Sequence, residues 1–504
     1  MIRAANLSKS HLLQTAHALE AIIALGLLVN LALFVWTGVV TALFPYDWGY
    51  GEGPLMDQAA RLLAGESIYK ATLTEPPYVV ANYPPLYPLL VAGIGAATRL
   101  PLLQVGRTIS LLAAIVSGLT IGLFACELTG RRFVGFVAAG LFLGNPLVMH
   151  WARLARVDLL ALAFSLVGLW VLGRRWRSWP WLAVAAACLL AAIYTRQSYA
   201  LAAPLAGAVW LWQNDRRRAL LFTAALVSAC LSLFGMLNLI TRGGFYLHIV
   251  VANVNPYRAD RTLAMMAILL HFCPVVLAVA GVAIGQTVRR RWSRRSGQVD
   301  ETRQQPFLIH GLTPYTVGAF LSALTVGKIG SHVNYLLELL AALAIWAAGA
   351  LAWLPRGRDN HRRALLVLTL CQVVWLAGGN FWVQSATARQ WQELAQYDAL
   401  YREVQAASGQ GPVLADDVLG LVVLAGQRVY FQPFEIQQLS IAGLWDPAPL
   451  VREIRERKFP LILIQEPGSE LCAERWAPSI LAAIEENYAG IEQLNGLVVY
   501  RPGP

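Results

Sequence analysis

Apolar residues run along this chain in long blocks, and short polar segments rich in arginine separate one block from the next. A block of about 20 apolar residues is what a helix needs to cross the hydrocarbon core of a bilayer, where the backbone has no water to satisfy it. About eleven such spans are expected, over residues 21–44, 103–128, 133–150, 154–172, 179–194, 199–212, 219–240, 263–288, 307–326, 333–354 and 364–382.

The run over 86–97 is only about a dozen residues long and follows Pro84 and Pro85, which marks an interfacial or re-entrant helix rather than a span. Charge decides its placement. With 86–97 along the outer surface, Arg3, Lys9, Arg131, Arg132, Arg174, Arg175, Arg177, Arg216 to Arg218, the six arginines from Arg289 to Arg303, Arg356, Arg358, Arg362 and Arg363 all fall on the side of the N-terminus. The positive-inside rule requires that arrangement, and letting the segment cross would reverse every cluster after the first. The N-terminus is therefore expected in the cytoplasm and the C-terminus outside, in a multi-pass protein of the plasma membrane. Within the first outer loop, residues 54–64 read as a short helix: Pro54 suits its first turn, Gly65 its stop, and Leu55, Ala59, Leu62 and Leu63 share one face.

From about residue 384 the pattern changes, with regular charges and apolar runs too short to span. Strand-like stretches at 411–415, 428–431, 461–465 and 496–500 alternate with helix-like ones at 390–407, 448–458 and 477–486. Such alternation reads as a small α/β domain. The expected fold is thus an α-helical polytopic membrane domain over 1–384 and an extracytoplasmic α/β domain over 385–504. The latter shows no phosphate loop, nucleophile elbow or metal motif, so its expected role is to bind a partner or acceptor, or to cover the site.

Composition narrows the class. Of 504 residues 57% are hydrophobic and 14% charged, which excludes an ordinary soluble protein. The net charge of +11 lies in short clusters between apolar runs, not in a basic domain interleaved with aromatics, so no nucleic-acid partner is expected. The first apolar run is too long for a cleavable signal and reads as an uncleaved span. Cys472 stands alone in the polar tail while the other five cysteines lie in apolar runs, so no disulfide framework is available.

The inner edge is plain arginine, whereas the outer edge is chemically mixed. Asp47 and Glu52 lie just beyond the first span, where carboxylates near hydrocarbon are costly. They read as the base-bearing half of an active site; the plainer alternative is that Glu52 complements a helix dipole and Asp47 marks the membrane exit. The second outer loop carries His150, Arg153, Arg156 and Asp158. An internal salt bridge there needs one arginine and leaves the other to bind an anion. Arg196 sits in a tight turn near bilayer depth, where an arginine is paired, lines a wet cavity or snorkels to head groups. Residues 241–262 add His248, Asn253, Asn255, Tyr257, Arg258 and Arg261, and a later turn gathers Lys328, Ser331, His332, Asn334 and Tyr335. Carboxylates facing several cations suit transfer from a phosphate leaving group: the carboxylate accepts the proton of an attacking hydroxyl, and arginine or lysine stabilises charge on the departing phosphate. With no nucleotide-sugar supply outside the cell, the donor is expected to arrive in the membrane as a sugar on a lipid phosphate.

The acidic loop after the first span, the helix ending in Leu63-Ala64-Gly65 with Tyr69 four residues on, and the stretch Tyr83-Pro84-Pro85-Leu86-Tyr87-Pro88 resemble the GT-C superfamily of polyprenyl-phosphate-sugar glycosyltransferases. The closest-looking branches are the bacterial relatives of the lipid A aminoarabinose transferases and the protein O-mannosyltransferases. The resemblance covers roughly 21–354 and implies two juxtamembrane helices in the first outer loop, an essential carboxylate there, and a second acid in the next outer loop. Carried over, the first acid is Asp47 or Glu52: spacing back from Gly65 favours Glu52 and chemical type favours Asp47. The second is Asp158. Many relatives carry an adjacent Asp-Glu pair, whereas here four residues separate the acids. Candidates for binding the donor are Tyr83, Arg153, Arg156, Arg196, Lys328 and His332. The resemblance implies single displacement with inversion, onto a lipid, protein or glycan acceptor. Some members use a divalent metal, for which His150 or His332 could serve, but a monophosphate donor does not demand one and none is expected to be essential. The competing reading is a transporter or flippase of lipid-linked sugars, whose charges would lie at mid-bilayer in broken helices related by a repeat.

Overall fold

The computed structural model describes residues 2–295, 308–353 and 359–503. The basic segments at 296–307 and 354–358, with Arg303, Arg356 and Arg358, lie outside the described residues. The chain opens with α1 (Ile2–Leu43), and the first outer loop holds α2 (Glu52–Leu63) and α3 (Leu86–Thr98). There follow α4 (Leu102–Thr129), α5 (Arg132–Leu143), α6 (Pro146–Ala152), α7 (Asp158–Arg175), α8 (Trp179–Thr195), α9 (Ala202–Asn214), α10 (Arg216–Ile240) and the single turn α11 (Gly244–Tyr246). The membrane domain closes with α12 (Ala259–Phe272), α13 (Pro274–Arg295), α14 (Thr313–Leu324), α15 (Leu337–Trp353) and α16 (Asp359–Gln392).

Every apolar run named above meets a helix, but two are not the single straight helices expected. The run over 133–150 breaks between α5 and α6 with a 65° bend, and that over 263–288 breaks between α12 and α13 with a 95° bend. Pro146 and Pro274 open the second helix of each pair. Proline lacks the N–H that would continue the preceding helix and clashes with its last turn, yet suits a first helical position. Among the described residues five helices are long and apolar enough to cross a membrane, or up to seven if each bent pair is one span. Others are shorter, such as the 17 residues of α8 and the 13 of α9. The two juxtamembrane helices are present, α2 starting two residues earlier than the proline suggested and ending at Leu63, two residues before Gly65, whose φ of +74° only glycine adopts freely. Buried amides hold the bundle together: Asn380 Nδ2 of α16 donates to Asn30 Oδ1 of α1 at 2.7 Å and to the carbonyl of Gly144 at 2.8 Å.

Helix α16 runs unbroken to Gln392, past the change in composition at 384, and leads into α17 (Leu394–Ser408). Beyond it come β1 (Leu414–Ala415), α18 (Leu419–Leu424), α19 (Pro433–Ile441), α20 (Ala448–Arg455), β2 (Ile462–Gln465), α21 (Glu470–Arg475), α22 (Pro478–Asn487), β3 (Tyr488–Leu494) and β4 (Leu497–Pro502). The sheet order is β1-β2-β4-β3, with β1 and β2 parallel and the other pairs antiparallel. The stretch 428–431, expected as a strand of this sheet, pairs instead with the first outer loop: Tyr78 N donates to the Tyr430 carbonyl at 2.7 Å, and Gln432 N to the Tyr78 carbonyl at 2.9 Å. More bonds seat the domain on α2, including Val429 N to Asp57 Oδ1 at 2.9 Å and Arg61 Nη2 to the Val429 carbonyl at 3.0 Å. Its α18 packs so closely on α2 that a Cβ on Gly53 would lie 2.6 Å from Gly420 N.

Candidate active site

Stretches distant in sequence enclose a hollow of about 400 Å³ beside the first outer loop. Tyr50, Gln58 and Tyr83 come from the first outer loop, Arg156 from the second, Arg261 from the first turn of α12, and Lys328 and His332 from the turn before α15. The C-terminal domain closes it with Glu435, Glu474 and Arg475.

Arg156 is aimed into the hollow by what it rests on. Its guanidinium lies over Gly51, where a Cβ would stand 1.3 Å from Nη1, and 5.2 Å from the centroid of Trp151. Its backbone is fixed to α4, since Arg156 N donates to Ser110 Oγ at 3.2 Å and Ser110 Oγ donates to its carbonyl at 3.0 Å. Arg475 stacks 4.8 Å over Tyr50 and is held from behind by Asp416 at 2.5 Å and Asp417 at 2.6 Å. Arg261 faces Glu474 at 3.7 Å, and Lys328 Nζ lies 3.4 Å from Asn253 Oδ1. Burial, reinforced by Arg156 and Arg261, holds the His332 imidazole below its ordinary value, so it is neutral near pH 7.

The three acids singled out from sequence do not meet here; none of them lines this hollow. Glu52 is buried with all its acceptor capacity engaged. Arg107 Nε and Nη2 reach its two oxygens at 2.9 and 2.7 Å, and the backbone N–H groups of Trp48 and Ala155 add two bonds of 2.7 Å each. Burial opposes its ionisation, but these donors outweigh it and keep the carboxyl below its usual value. Glu52 therefore ties the first two outer loops to α4. Asp47 points toward the C-terminal domain, its Oδ2 accepting from Gly420 N at 2.8 Å while Oδ1 makes no hydrogen bond. Burial pushes its carboxyl up to about 7. It borders a separate polar hollow of about 540 Å³ with Arg389, Glu393 and Asp417.

Asp158 opens α7 and is ion-paired with Arg196, and it accepts from Asn334 Nδ2 at 2.8 Å. Its other oxygen lies 4.0 Å from Arg156 Nε. Arg196 in turn stacks 4.2 Å from Tyr335, a hollow-lining ring. Asp158 and Arg196 thus sit behind Arg156 and Tyr335 rather than in the hollow. Arg153 is directed away: it stacks 3.9 Å over Trp48 and bonds to Thr387 Oγ1 at 2.6 Å and His150 Nδ1 at 3.2 Å. Of the residues proposed from sequence, Tyr83, Arg156, Lys328 and His332 come together; Asp47, Glu52, Arg153, Asp158 and Arg196 do not join them.

A second, apolar groove of about 570 Å³ adjoins the hollow and is lined by Pro146, Leu147, Phe272, Trp375, Gly378 and Trp382, among others. Pro146 and Phe272 mark the breaks in the two bent pairs, so the same kinks that interrupt the helices open this groove. His332 borders both the groove and the hollow. Among the described residues no group of three or more His, Cys, Asp or Glu side chains is arranged to hold a metal ion. The His150 and His332 rings lie 6.4 Å apart, and Arg153 Nη2 lies 3.2 Å from His150 Nδ1.

No protein-family model matches the chain, and no curated protein matches it significantly. Among solved structures, ArnT from Cupriavidus metallidurans in the apo state superposes with a TM-score of 0.62 at 14% identity, covering 95% of this chain and 98% of that one. The same protein bound to undecaprenyl phosphate gives 0.56 at 14% identity over 94% and 99%. The archaeal oligosaccharyltransferase AglB from Archaeoglobus fulgidus, in complex with an inhibitory peptide and a dolichol-phosphate, gives 0.54 at 11% identity over 94% and 74%. At these identities the likeness speaks for the backbone, and over nearly its whole length this multi-pass chain has the GT-C fold.

Proposed function

We propose that this chain is a membrane glycosyltransferase that moves a sugar from a polyprenyl-phosphate donor to an acceptor hydroxyl at the outer membrane surface, with the N-terminus in the cytoplasm and the C-terminal domain outside. The observation that carries this reading is the junction at His332, where an apolar groove meets a hollow lined by Arg156, Arg261, Lys328 and Arg475. A lipid phosphate has those two chemistries in that order: its chain lies in the groove and its phosphate enters the hollow. Undecaprenyl phosphate in ArnT and dolichol-phosphate in AglB, proteins of the same fold, support the assignment.

In the reaction the acceptor hydroxyl attacks the anomeric carbon opposite the phosphate, the bond from that carbon to the phosphate oxygen breaks, and configuration inverts. Arg156 and Lys328 stabilise the charge that accumulates on the departing phosphate, in a partly dehydrated setting where such contacts count for more than in water. Asp158 and Arg196 are positioning residues behind Arg156 and Tyr335; Glu52 and Asp47 hold the outer loops and the C-terminal domain in place. Tyr83 lines the wall beside Arg156 and contacts the sugar or its phosphate. The acceptor is a lipid, protein or glycan hydroxyl.

The test is a reconstituted vesicle assay with labelled polyprenyl-phosphate sugar. Label moving to an acceptor with release of polyprenyl phosphate supports the reading. Passage of the intact labelled donor across the bilayer with no transfer would replace it with a flippase.

A further inference from the structure

A displacement of this kind needs a group to take the proton of the attacking hydroxyl, and Asp47, Glu52 and Asp158, expected for that task, do not line the hollow. Among the described residues the carboxylates bordering the cation-lined hollow are Glu435 and Glu474, both from the C-terminal domain. Glu474 is the more open of the two and faces Arg261 at 3.7 Å. Glu435 is held in place. It lies in the first turn of α19, accepts a hydrogen bond at Oε2 from the Tyr50 hydroxyl, and Tyr50 accepts in turn from Phe434 N at 3.1 Å. Phe434 is itself seated on Gly330, whose φ is +81° and where a Cβ would stand 2.4 Å from the ring. The start of α19 is thus clamped between the first outer loop and the turn that carries Lys328.

Resting on the function proposed above, we infer that Glu435 is the proton acceptor of the transfer and that Tyr50 is the positioning residue that orients it. Oε1 of Glu435 takes the proton as the acceptor oxygen bonds to the anomeric carbon, and the electron pair of the breaking bond leaves on the phosphate oxygen. The products are the glycoside, polyprenyl phosphate and a neutral Glu435, which returns its proton to solvent or phosphate. The C-terminal domain is then part of the catalytic machinery and not only a cover.

The electrostatic surroundings agree with this role. Burial raises the Glu435 carboxyl above its ordinary value, while Tyr50, Arg156 and Arg475 pull it down. Glu474, His332, Arg261, Lys328, Tyr83 and Tyr335 are the other titratable or charged groups lining the hollow. Tyr50 keeps its proton, since burial and Glu435 push its hydroxyl well above the ordinary value. A base in this setting protonates at a higher pH than a free glutamate.

The experiment compares full-length protein in vesicles with Glu435→Gln, Glu474→Gln and Tyr50→Phe, using polyprenyl-phosphate sugar as donor and polyprenyl phosphate as binding probe. Glu435→Gln should lower kcat by about 10²- to 10⁴-fold, the usual worth of a general base, while binding of polyprenyl phosphate stays near the parent value and shows that the variant is folded. Tyr50→Phe removes a bond that favours the charged carboxylate, so the acid limb of kcat/KM should move to higher pH. Glu474→Gln, which removes an acid of the same hollow that has no Tyr50 contact, should lower kcat by less than Glu435→Gln does. Glu435→Gln at parental kcat, or a Tyr50→Phe acid limb that does not move, would overturn the inference while leaving the proposed transfer intact. A parent protein that binds the lipid and transfers nothing would overturn both.

Discussion

Arg107 of α4 grips Glu52 of α2 through Nε and Nη2, at 2.9 and 2.7 Å from the two carboxylate oxygens, and both side chains are out of contact with solvent. Removing one member of such a pair leaves the other buried and uncompensated, which costs about 3–5 kcal/mol. Glu52→Gln and Arg107→Met should each destabilise the purified protein by a free energy of that order, seen as a lower thermal midpoint. The double variant Glu52→Leu/Arg107→Met should lose less than the sum. A Glu52→Gln protein as stable as the parent but unable to transfer sugar would return Glu52 to the chemistry.

Gly51 offers a way to disturb Arg156 without touching its charge. A methyl group there would occupy the position of the guanidinium, which must swing away because the glycine backbone is fixed against α2. Charge-assisted hydrogen bonds contribute about 1.5–3 kcal/mol each. Gly51→Ala should therefore weaken binding of polyprenyl phosphate by about 10- to 100-fold, close to the effect of Arg156→Ala. Equilibrium binding with a fluorescent lipid phosphate measures this.

The groove makes a prediction about chain length. Gly378 borders it, and a Cβ there would meet no atom within 4 Å, so a larger side chain extends into open space. Gly378→Leu should weaken a long-chain lipid phosphate about tenfold, the loss of roughly two buried methylene groups, and leave a short-chain analogue unaffected. Competition between the two chain lengths measures the difference. Equal loss for both would place the chain elsewhere.

Asp47 gives the C-terminal junction a pH signature. Its carboxyl is shifted from 3.8 to about 7 by burial. A group whose folded value lies above its unfolded one stabilises the fold fully below the unfolded value, and the benefit is lost as pH rises through the folded one. Relative to Asp47→Asn, the parent should be progressively less stable between pH 4 and pH 7, and the gap should level off above that. Thermal unfolding of both proteins across this range checks the sign.

Spans and juxtamembrane helices were legible because long apolar runs have few other solutions in a bilayer. The kinks at Pro146 and Pro274 carried a local signal, but apolarity continues through both and masked it. Strand β3 was hidden because most of its residues are exposed and its sequence, Tyr488 to Leu494, lacks a clean alternation. In the site, Arg156, Lys328 and His332 stood out as polar groups on a rim that the charge rule keeps poor in cations. Glu52 and Asp158 also stood out, but nothing local shows that an acid is paired with an arginine 55 or 38 residues away. Glu435 gave no signal at all, since an acid near the start of a helix in a polar domain is ordinary; only its docking on Tyr50 sets it apart.

The account depends on one lipid phosphate occupying groove and hollow together. A structure of the full chain with polyprenyl phosphate bound tests this most directly. The prediction is a phosphate within hydrogen-bonding distance of Arg156 and Lys328, with the chain passing His332 between Phe272 and Trp375. A phosphate bound away from both cations, or a chain leaving by another route, would contradict it.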